Sequence, residues 1–318
     1  AYNGQHNVLI ANPRDADLFV RALKPWKVSI FVGLNTLFIS LLKHPGFREL
    51  DFTSLKATNS GGTALASDTG ARWKALTGCG IGEGYGLTEC APVVSASGTG
   101  AYINPASVGL PMPNTSLKVI DAEGAELALG AAGELCVQGP QVMQGYWRQP
   151  EATAEVLDAE GWFHTGDIAV IDGQGVVRIV DRVKDMVLVS GFNVYPTEIE
   201  DVVLAHPGVE HAAAIGVPDE KTGEAVKLFV VRSDVTLCEA DLREFCREQL
   251  TAYKLPKLIE FRESLPMTPV GKVLRKDLRA ELHKELGAEA KAKAQNAEPV
   301  LVKAQGNQSA RQNAEVTT

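Results

Sequence analysis

The sequence has few cysteines, no long uninterrupted apolar run and no excess of positive charge. Its five cysteines are odd in number and show no CxxC spacing, which argues against a disulfide framework and against a zinc site. The formal net charge of −8 argues against general nucleic-acid binding, because such binding normally needs a basic surface. The longest apolar run, 28–42, is interrupted by polar residues and is too short to span a bilayer. These absences favour a reducing, cytoplasmic compartment, while peripheral contact with the inner face of the cell membrane stays open.

Apolar residues are plentiful and make up 45% of the 318 residues, so the chain can bury a sizeable core and is long enough for two or more domains. The first part of the chain alternates short β-rich runs with helix-length segments, which predicts a sheet covered by helices. The predicted strands are 7–11, 28–33 and 55–62, and the predicted helices are 15–24, 35–43 and 66–77.

Two further changes in sequence character follow. Short apolar runs separated by turn sequences such as DAEG and DGQG predict a β-rich subdomain with a hairpin at 169–180. Beyond residue 185, a helix beginning at Pro196, strands at 210–217 and 224–232, and a helix at 239–250 predict a small α+β domain.

The predicted fold class is therefore α/β plus α+β. The predicted parts are a partial α/β region at 1–103, a β-rich subdomain at 104–180, a boundary at 181–185, an α+β domain at 186–286 and a disordered tail at 287–318.

The segment EGYGLTECAP at 83–92 has the richest local signal for ligand binding. A glycine lies on either side of Tyr85, the second being Gly86, so the backbone can approach a ligand closely while the ring offers a stacking surface. Thr88 and Glu89 place a hydroxyl beside a carboxylate, a pair that suits Mg2+ bound together with phosphate. The alternative is a tight turn with an exposed acid.

Two further segments carry candidate ligand contacts. The segment GGTALA places Gly61 and Gly62 after a predicted strand, where a flat or phosphate-bearing ligand could lie, although a glycine pair is most often only a turn. The segment GWFHTGDIA places Asp167 just before the predicted hairpin, where its carboxylate can accept both hydroxyls of a ribose. A turn aspartate is the alternative, and His164 in the same segment is expected to be structural.

A lysine and a charged boundary complete the candidate residues. In LPMTPVGKVLRKDLR, Lys272 follows a glycine on a predicted loop, so its ammonium could reach into a site and stabilise charge on phosphate or carboxylate oxygens. The alternative is a solvated lysine at the start of a helix. In DRVKDMVLVSG, Arg182 and Lys184 precede an apolar run, and an isolated charge group of this kind is usually only a solvated bend.

Taken together, seven segments in this order resemble the adenylate-forming enzymes, the superfamily of acyl-CoA synthetases, luciferases and the adenylation domains of peptide synthetases. The segments are GGTALA, YGLTE, SVGLPMP, GELCVQGPQVMQGYW, GWFHTGDIA, DRVKDMVLVSGFNVYPTEIE and PVGKVLRKDLR. The resemblance covers the chain up to about residue 285, and the wording of VSGFNVYPTEIEDVV, GPQVMQGYW and FHTGDIAV is most similar to bacterial long-chain fatty acid–CoA ligases.

The resemblance implies an enzyme that uses ATP and Mg2+ to convert a fatty acid into an acyl-adenylate and pyrophosphate. The acyl group then passes to the thiol of CoA, with release of AMP. Lys272 would bridge carboxylate and phosphate in the first half-reaction. The other implied contacts are Gly61 and Gly62 in the wall beside adenine, Tyr85 stacked on the base with Gly86 next to it, Asp167 and Arg182 at the ribose hydroxyls, Thr88 at the phosphates and Glu89 at Mg2+.

The resemblance also implies a function for the boundary at 181–185. This segment would be a hinge, centred on Lys184, about which the C-terminal domain rotates between the two half-reactions. The rotation would withdraw Lys272 and bring Gly191 beside the path of the pantetheine arm, which a side chain there would narrow. Three basic residues of the domain would either meet the CoA phosphates or lie on a solvated face: Lys254, Lys257 and Arg275.

One departure from the family pattern stands against these matches. The Gly-, Ser- and Thr-rich phosphate loop of the family does not occur in this chain, so we expect the 318 residues alone to have little or no ligase activity. Two alternatives stay open, an adenylating enzyme that loads a carrier protein and a non-catalytic module that binds nucleotide or acyl-CoA. The acyl chain length, the oligomeric state and regulation by lysine acylation are not determined by the sequence.

Overall fold

The computed structural model describes residues 4, 6–98, 103–104, 106–268 and 273–284. The first sheet has five strands and alternates in sequence with three helices. The elements are α1 (Ala16–Leu23), β1 (Ile30–Gly33), α2 (Asn35–Lys43), β2 (Ala57–Ser60), α3 (Ser67–Thr77), β3 (Ile81–Gly86), β4 (Val93–Ala96) and β5 (Leu110–Pro111). The strands lie in sequence order, with β1, β2 and β3 parallel and the last two antiparallel.

The core of this part forms around Trp73, which is fully buried. Its ring packs against Phe31, Phe38 and Phe47 at centroid distances of 5.1, 4.8 and 5.4 Å. The indole nitrogen donates to Thr58 Oγ1 at 3.2 Å, so helix α3 is fixed against β2 by a polar contact as well as by packing.

Five of the six elements predicted in this part are confirmed, and one is wrong. Residues 7–11 form no strand, and Leu9 is 91% exposed. A β-rich run becomes a strand only when a partner supplies backbone hydrogen bonds and packing, and local composition cannot provide either.

The second sheet is the predicted β-rich region. Its elements are β6 (Ser116–Ile120), β7 (Ala132–Gln138), α4 (Pro150–Val156), β8 (Phe163–Ile171) and β9 (Val177–Arg182). The four strands are antiparallel and lie in sequence order, so the predicted hairpin is confirmed as the pair β8 and β9. Leu135, Val137 and Val177 are fully buried on the side of the sheet that forms the core.

The third sheet follows a 3-10 turn at Val183–Asp185. Its elements are β10 (Val187–Val189), β11 (Phe192–Val194), α5 (Pro196–Leu204), β12 (Val209–Asp219), β13 (Gly223–Arg232), α6 (Glu239–Gln249) and β14 (Leu258–Arg262). The strand order is β11-β10-β13-β12, and β14 pairs with β13 in parallel. Residues 275–284 form helix α7. The helix predicted to begin at Pro196 is confirmed, with the proline in its first turn.

The fold class predicted from the sequence, α/β plus α+β, is confirmed by these three sheets and their helices. The domain boundaries stay predictions, and the tail predicted at 287–318 lies outside the described residues. None of the helices in the described part of the chain is long and apolar enough to cross a membrane.

Candidate active site

Tyr85, Asp167 and Arg182 form a hydrogen-bonded cluster at the centre of the site. The Tyr85 hydroxyl donates to Asp167 Oδ2 at 2.5 Å, and Arg182 Nε lies 3.2 Å from Asp167 Oδ1. Asp167 is only 6% exposed, whereas the Arg182 side chain is 46% exposed. Arg182 is therefore the member of the cluster that solvent or a ligand reaches most easily.

The strands explain why these side chains meet. Asp167 and Arg182 are register partners on β8 and β9, so their side chains project from the same face of the second sheet at adjacent positions. Tyr85 comes from the end of β3 in the first sheet. The cluster therefore joins the two sheets and places three predicted nucleotide contacts side by side.

The electrostatics of the cluster hold the Tyr85 ring in place. Burial raises the pKa of the Tyr85 phenol, and the neighbouring Asp167 carboxylate raises it further. The phenol is therefore protonated at neutral pH and donates its proton to a hydrogen bond with the carboxylate. A fixed aromatic ring thus lies at the end of β3.

Glu89 lies in a 3-10 turn, Thr88–Cys90, directly after β3. The Tyr146 hydroxyl donates to Glu89 Oε1 at 2.9 Å, and the pKa of Tyr146 is raised by burial and by this contact. Among the residues that the structure describes, none donates a hydrogen bond to Glu89 Oε2. One carboxylate oxygen is thus held by a tyrosine, and the other can bind a cation.

Gly86 permits the close approach that shapes this turn. A Cβ atom at residue 86 would lie 1.8 Å from the carbonyl oxygen of Pro92. The turn that carries Thr88 and Glu89 can fold back on β3 only because residue 86 has no side chain.

The donor set around Glu89 fits Mg2+ that arrives with a nucleotide. In the described ranges, no group of three His, Cys, Asp or Glu side chains could hold a metal ion by itself. Mg2+ is commonly bound by one or two carboxylates together with substrate phosphates and water. A single carboxylate beside the Thr88 hydroxyl matches that mode of binding.

The loop after β2 carries Gly61 and Gly62 and is tied to β3. The Leu65 amide donates to Glu83 Oε2 at 3.1 Å. Burial raises the pKa of the Glu83 carboxyl, while the Leu65 amide opposes that shift. A partly buried acid on β3 therefore holds the loop that forms the predicted wall of the site.

Three buried hydroxyl groups near this wall have no hydrogen-bond partner in the described part of the chain: those of Ser60, Thr63 and Ser95. Ser60 is the register partner of Glu83, and Ser95 is the register partner of Tyr85, so these side chains share one face of the first sheet. Unpaired buried hydroxyls are uncommon, and an ordered water or ion is a common partner for such groups.

Two of the three residues assigned to domain movement, Lys184 and Gly191, follow Arg182 closely in the sequence. Lys184 is exposed in the 3-10 turn within 181–185. Gly191 and Ser190 form the two-residue turn between β10 and β11, with φ angles of 83° and 51°. Two positive φ angles define a tight hairpin turn, so Gly191 lies at an exposed hairpin tip. Lys272 lies outside the described residues.

Sequence reasoning missed a buried ion cluster around Arg275. Its guanidinium lies 2.5 Å from Glu200 Oε2, 3.3 Å from Asp185 Oδ2 and 3.5 Å from Asp181 Oδ1. The Arg275 side chain is 15% exposed and that of Asp181 is 1% exposed. Although burial alone would lower it, the contacts with Glu200 and the neighbouring acids hold the pKa of Arg275 above its ordinary value. Arg275 therefore does not lie on a solvated face.

Two other basic residues considered for CoA are also paired with acids. Lys254 Nζ lies 2.6 and 2.7 Å from the carboxylate oxygens of Glu198, and Lys257 pairs with Asp219. Their charges are already balanced by these partners, so neither lysine offers an unpaired cation to a phosphate.

Two family models match the chain. The AMP-binding enzyme model matches residues 1–147, and the model of the AMP-binding enzyme C-terminal domain matches residues 198–272. The chain belongs to this family of adenylate-forming enzymes, as the motifs predicted.

Individual relatives extend this assignment. The chain is 53% identical over 278 residues to a long-chain-fatty-acid–CoA ligase of Escherichia coli O157:H7, which covers 87% of this chain and 49% of the relative. A ligase of the same name from Haemophilus influenzae is 51% identical over 274 residues, covering 86% and 49%. The solved structure of ATP-bound MatB from Rhodopseudomonas palustris matches with a TM-score of 0.77 at 36% identity, covering 84% of this chain and 53% of that one. The chain spans about half the length of the curated relatives it matches.

Proposed function

We propose that this chain is the nucleotide-handling part of an AMP-forming acid–thiol ligase that activates long-chain fatty acids. The observation that carries the proposal is the cluster of Tyr85, Asp167 and Arg182, with Glu89 in the turn that follows β3. The identity to long-chain-fatty-acid–CoA ligases supports the same reaction class. Loading of a carrier protein and a purely binding module gain no support from these relatives.

The cluster is suited to the nucleoside half of ATP. Asp167 is an acceptor that can take hydrogen bonds from both ribose hydroxyls, and the exposed Arg182 can donate to the same ribose. The fixed ring of Tyr85 would stack on adenine. Gly61 and Gly62 would form the adjacent wall, where a side chain would obstruct a flat base.

In the first half-reaction, a carboxylate oxygen of the fatty acid attacks the α-phosphorus of ATP. The bond from that phosphorus to the pyrophosphate oxygen breaks, leaving an acyl-adenylate and pyrophosphate. Thr88 would contact the phosphates, and Mg2+ held at Glu89 would neutralise charge on them. Lys272 would bridge the carboxylate and the phosphate, and loss of one such donor typically costs roughly 100- to 1000-fold in rate.

In the second half-reaction, the sulfur of CoA attacks the acyl carbonyl carbon. The bond from that carbon to the AMP oxygen breaks, the thiol loses its proton, and the products are acyl-CoA and AMP. Lys184 would be the hinge, and the bare hairpin tip at Gly191 would border the pantetheine arm. Because Lys254 and Lys257 are paired with acids, we do not assign the CoA phosphates to them.

The remaining parts of the proposal concern substrate and setting. We assign a long-chain fatty acid because both ligases of that name are more than half identical to this chain. We place the protein in the cytoplasm, where ATP and CoA are available, with contact at the inner face of the membrane as the route for an acyl substrate that partitions into lipid.

Binding of AMP to the purified chain tests the nucleotide assignment. We expect calorimetry to show AMP binding that is at least about 10-fold weaker in Asp167→Asn, because a charged acceptor is lost. Asp172→Asn is the matched control, since Asp172 accepts two backbone amides in the adjacent turn and an asparagine oxygen can replace it there. Equal binding by both variants, or no binding by the wild type, would contradict the assignment.

Turnover tests the reaction class. With the complete coding sequence that contains this chain, we expect ATP- and CoA-dependent release of AMP with palmitate and much less with acetate. The 318 residues alone should show little or none of this activity, and robust turnover by them would overturn that expectation.

A further inference from the structure

Strand β8 carries extra residues opposite β7 immediately before Asp167. The register pairs Glu134 with Ile168 and Cys136 with His164, so one residue of β7 faces three residues of β8. Such a bulge bends its strand and redirects the neighbouring side chains. Because Asp167 belongs to the bulged segment, the bend affects the direction in which its side chain points.

Glu134 binds the apex of this bulge. The Gly166 amide donates to Glu134 Oε1 at 3.0 Å, and Gly166 has a φ of 69°, a region that favours glycine. The Thr165 hydroxyl donates to the Leu135 carbonyl at 2.8 Å and accepts from the Asp167 amide at 3.1 Å. Two side-chain acceptors thus replace the ladder hydrogen bonds that the bulge interrupts, and they fix the backbone up to Asp167.

The second oxygen of Glu134 lies close to the ring of His164. His164 Nδ1 lies 3.6 Å from Glu134 Oε2, and His164 Nε2 lies 3.9 Å from Asp158 Oδ2. The Glu134 side chain is 24% exposed, so most of it is shielded from water. The hydrogen bond from the Gly166 amide therefore orients the Glu134 carboxylate before any ligand binds.

We propose that Glu134 is a positioning residue for the nucleotide ribose. It holds the bulge at 165–167 and thereby sets the direction in which Asp167 presents its carboxylate to Tyr85, Arg182 and the ligand. The inference rests on the proposed function, since it takes the ligand of Asp167 to be a ribose. Glu134 acts through the Gly166 amide.

The binding test compares three variants of the full 318-residue chain. Glu134→Leu removes the acceptor, and we expect it to weaken AMP binding by about 10-fold, the size of a lost hydrogen bond to a charged group. Glu134→Gln keeps an acceptor oxygen and should stay within about 3-fold of the wild type. Glu123→Leu is the matched control, because Glu123 lies in an exposed turn of the same sheet region.

A purely structural role is distinguished by the choice of nucleotide. The wild type should prefer AMP over 2′-deoxy-AMP, because the deoxy compound leaves Asp167 short of one donor. In Glu134→Leu that preference should shrink, since a misplaced Asp167 would lose its hydrogen bonds to the ribose hydroxyls. A uniform weakening of both nucleotides would overturn the positioning role.

A second readout needs no nucleotide. The carbon-13 resonance of Tyr85 Cζ, assigned with Tyr85→Phe, reports the hydrogen bond to Asp167. Glu134→Leu should move this resonance toward its value in Asp167→Asn, whereas Glu134→Gln and Glu123→Leu should not. Glu134→Asp, which withdraws the carboxylate by one methylene, supplies the same comparison if the leucine variant does not fold.

The two readouts separate the inference from the function on which it rests. If the wild type binds no AMP but the Tyr85 resonance responds to Glu134→Leu, the ribose assignment fails and the positioning of Asp167 stands. If the resonance is unchanged in the leucine and aspartate variants, the positioning role is overturned.

Discussion

Two arginine–carboxylate clusters begin at adjacent residues of β9. Arg182 pairs with Asp167, and its neighbour Asp181 pairs with Arg275. Successive side chains of a strand point to opposite faces, so the two neighbours enter different surroundings. Arg182 is 46% exposed and Arg275 is 15% exposed. The same chemical groups therefore form the proposed ligand site where the arginine is exposed, and a structural link where the arginine and its acids are largely buried.

The buried cluster connects segments that are distant in sequence. Asp181 Oδ2 accepts the Thr197 amide at 2.8 Å, which joins the end of β9 to the first turn of α5. Arg275 Nη2 also donates to Thr197 Oγ1 at 3.1 Å. An exposed ion pair usually contributes little to stability, whereas removing one partner of a buried pair leaves an uncompensated charge.

Arg275→Leu should give the largest effect, because it leaves three buried carboxylates without their cation. We expect the free energy of unfolding at pH 7, measured by urea titration, to fall by about 3–5 kcal/mol. Arg247→Leu, at an exposed position on α6, is the control and should change it by less than about 0.5 kcal/mol. A loss below about 1 kcal/mol in Arg275→Leu would show that the cluster does not hold the fold.

The loss in Arg275→Leu should shrink with acidification, by up to about 2 kcal/mol at pH 5. Burial raises the pKa of Glu200, with Arg275 opposing that shift. For a carboxyl whose folded pKa is raised, the stabilising contribution is present at low pH and is lost as pH rises through the folded pKa. Without the arginine this penalty at pH 7 grows, and protonation relieves it. An equal loss at both pH values would contradict the explanation.

Arg182→Gln tests the exposed cluster and should have the opposite profile. We expect AMP binding to weaken by about 10-fold, because the charged donor proposed for the ribose is lost. The free energy of unfolding should change by less than about 1 kcal/mol, because the pair with Asp167 is half exposed on the arginine side. Calorimetry and urea titration on the same preparation measure both quantities, and a large loss of stability with unchanged binding would reverse the roles of the two clusters.

Glu83→Gln should have the smallest effect and tests a buried acid whose partner is a backbone amide. Burial raises the pKa of Glu83, so its ionised form costs stability at neutral pH. The glutamine variant should be more stable at pH 7 by up to about 1 kcal/mol. The gain should disappear below the ordinary carboxyl pKa of 4.5, where Glu83 is protonated in both states. A gain that persists at pH 4 would point to packing instead of charge.

Sequence reasoning succeeded where the signal was local. Pro196 begins α5, because its fixed φ suits the first turn of a helix. Asp167 precedes the predicted hairpin and lies at the start of its paired segment, opposite Arg182. The resemblance also selected Tyr85, which the structure places against Asp167. The strand predicted at 7–11 is wrong because no neighbouring strand pairs with this β-rich segment in the described part of the chain, and composition alone cannot predict such pairing.

The sequence by itself determined the family, the order of most elements and the identity of residues within each motif, because periodicity, turn residues and helix starts act over a few positions. Only the tertiary structure decided which motifs meet. Tyr85 reaches Asp167 across 82 residues, Tyr146 reaches Glu89 across 57, and Arg275 reaches Asp185 across 90. Burial and hydrogen bonding between such distant positions depend on how sheets and helices pack. Only folding therefore made Arg182 and Asp167 an exposed pair in the proposed ligand site, and Arg275 and Asp181 part of a buried structural link.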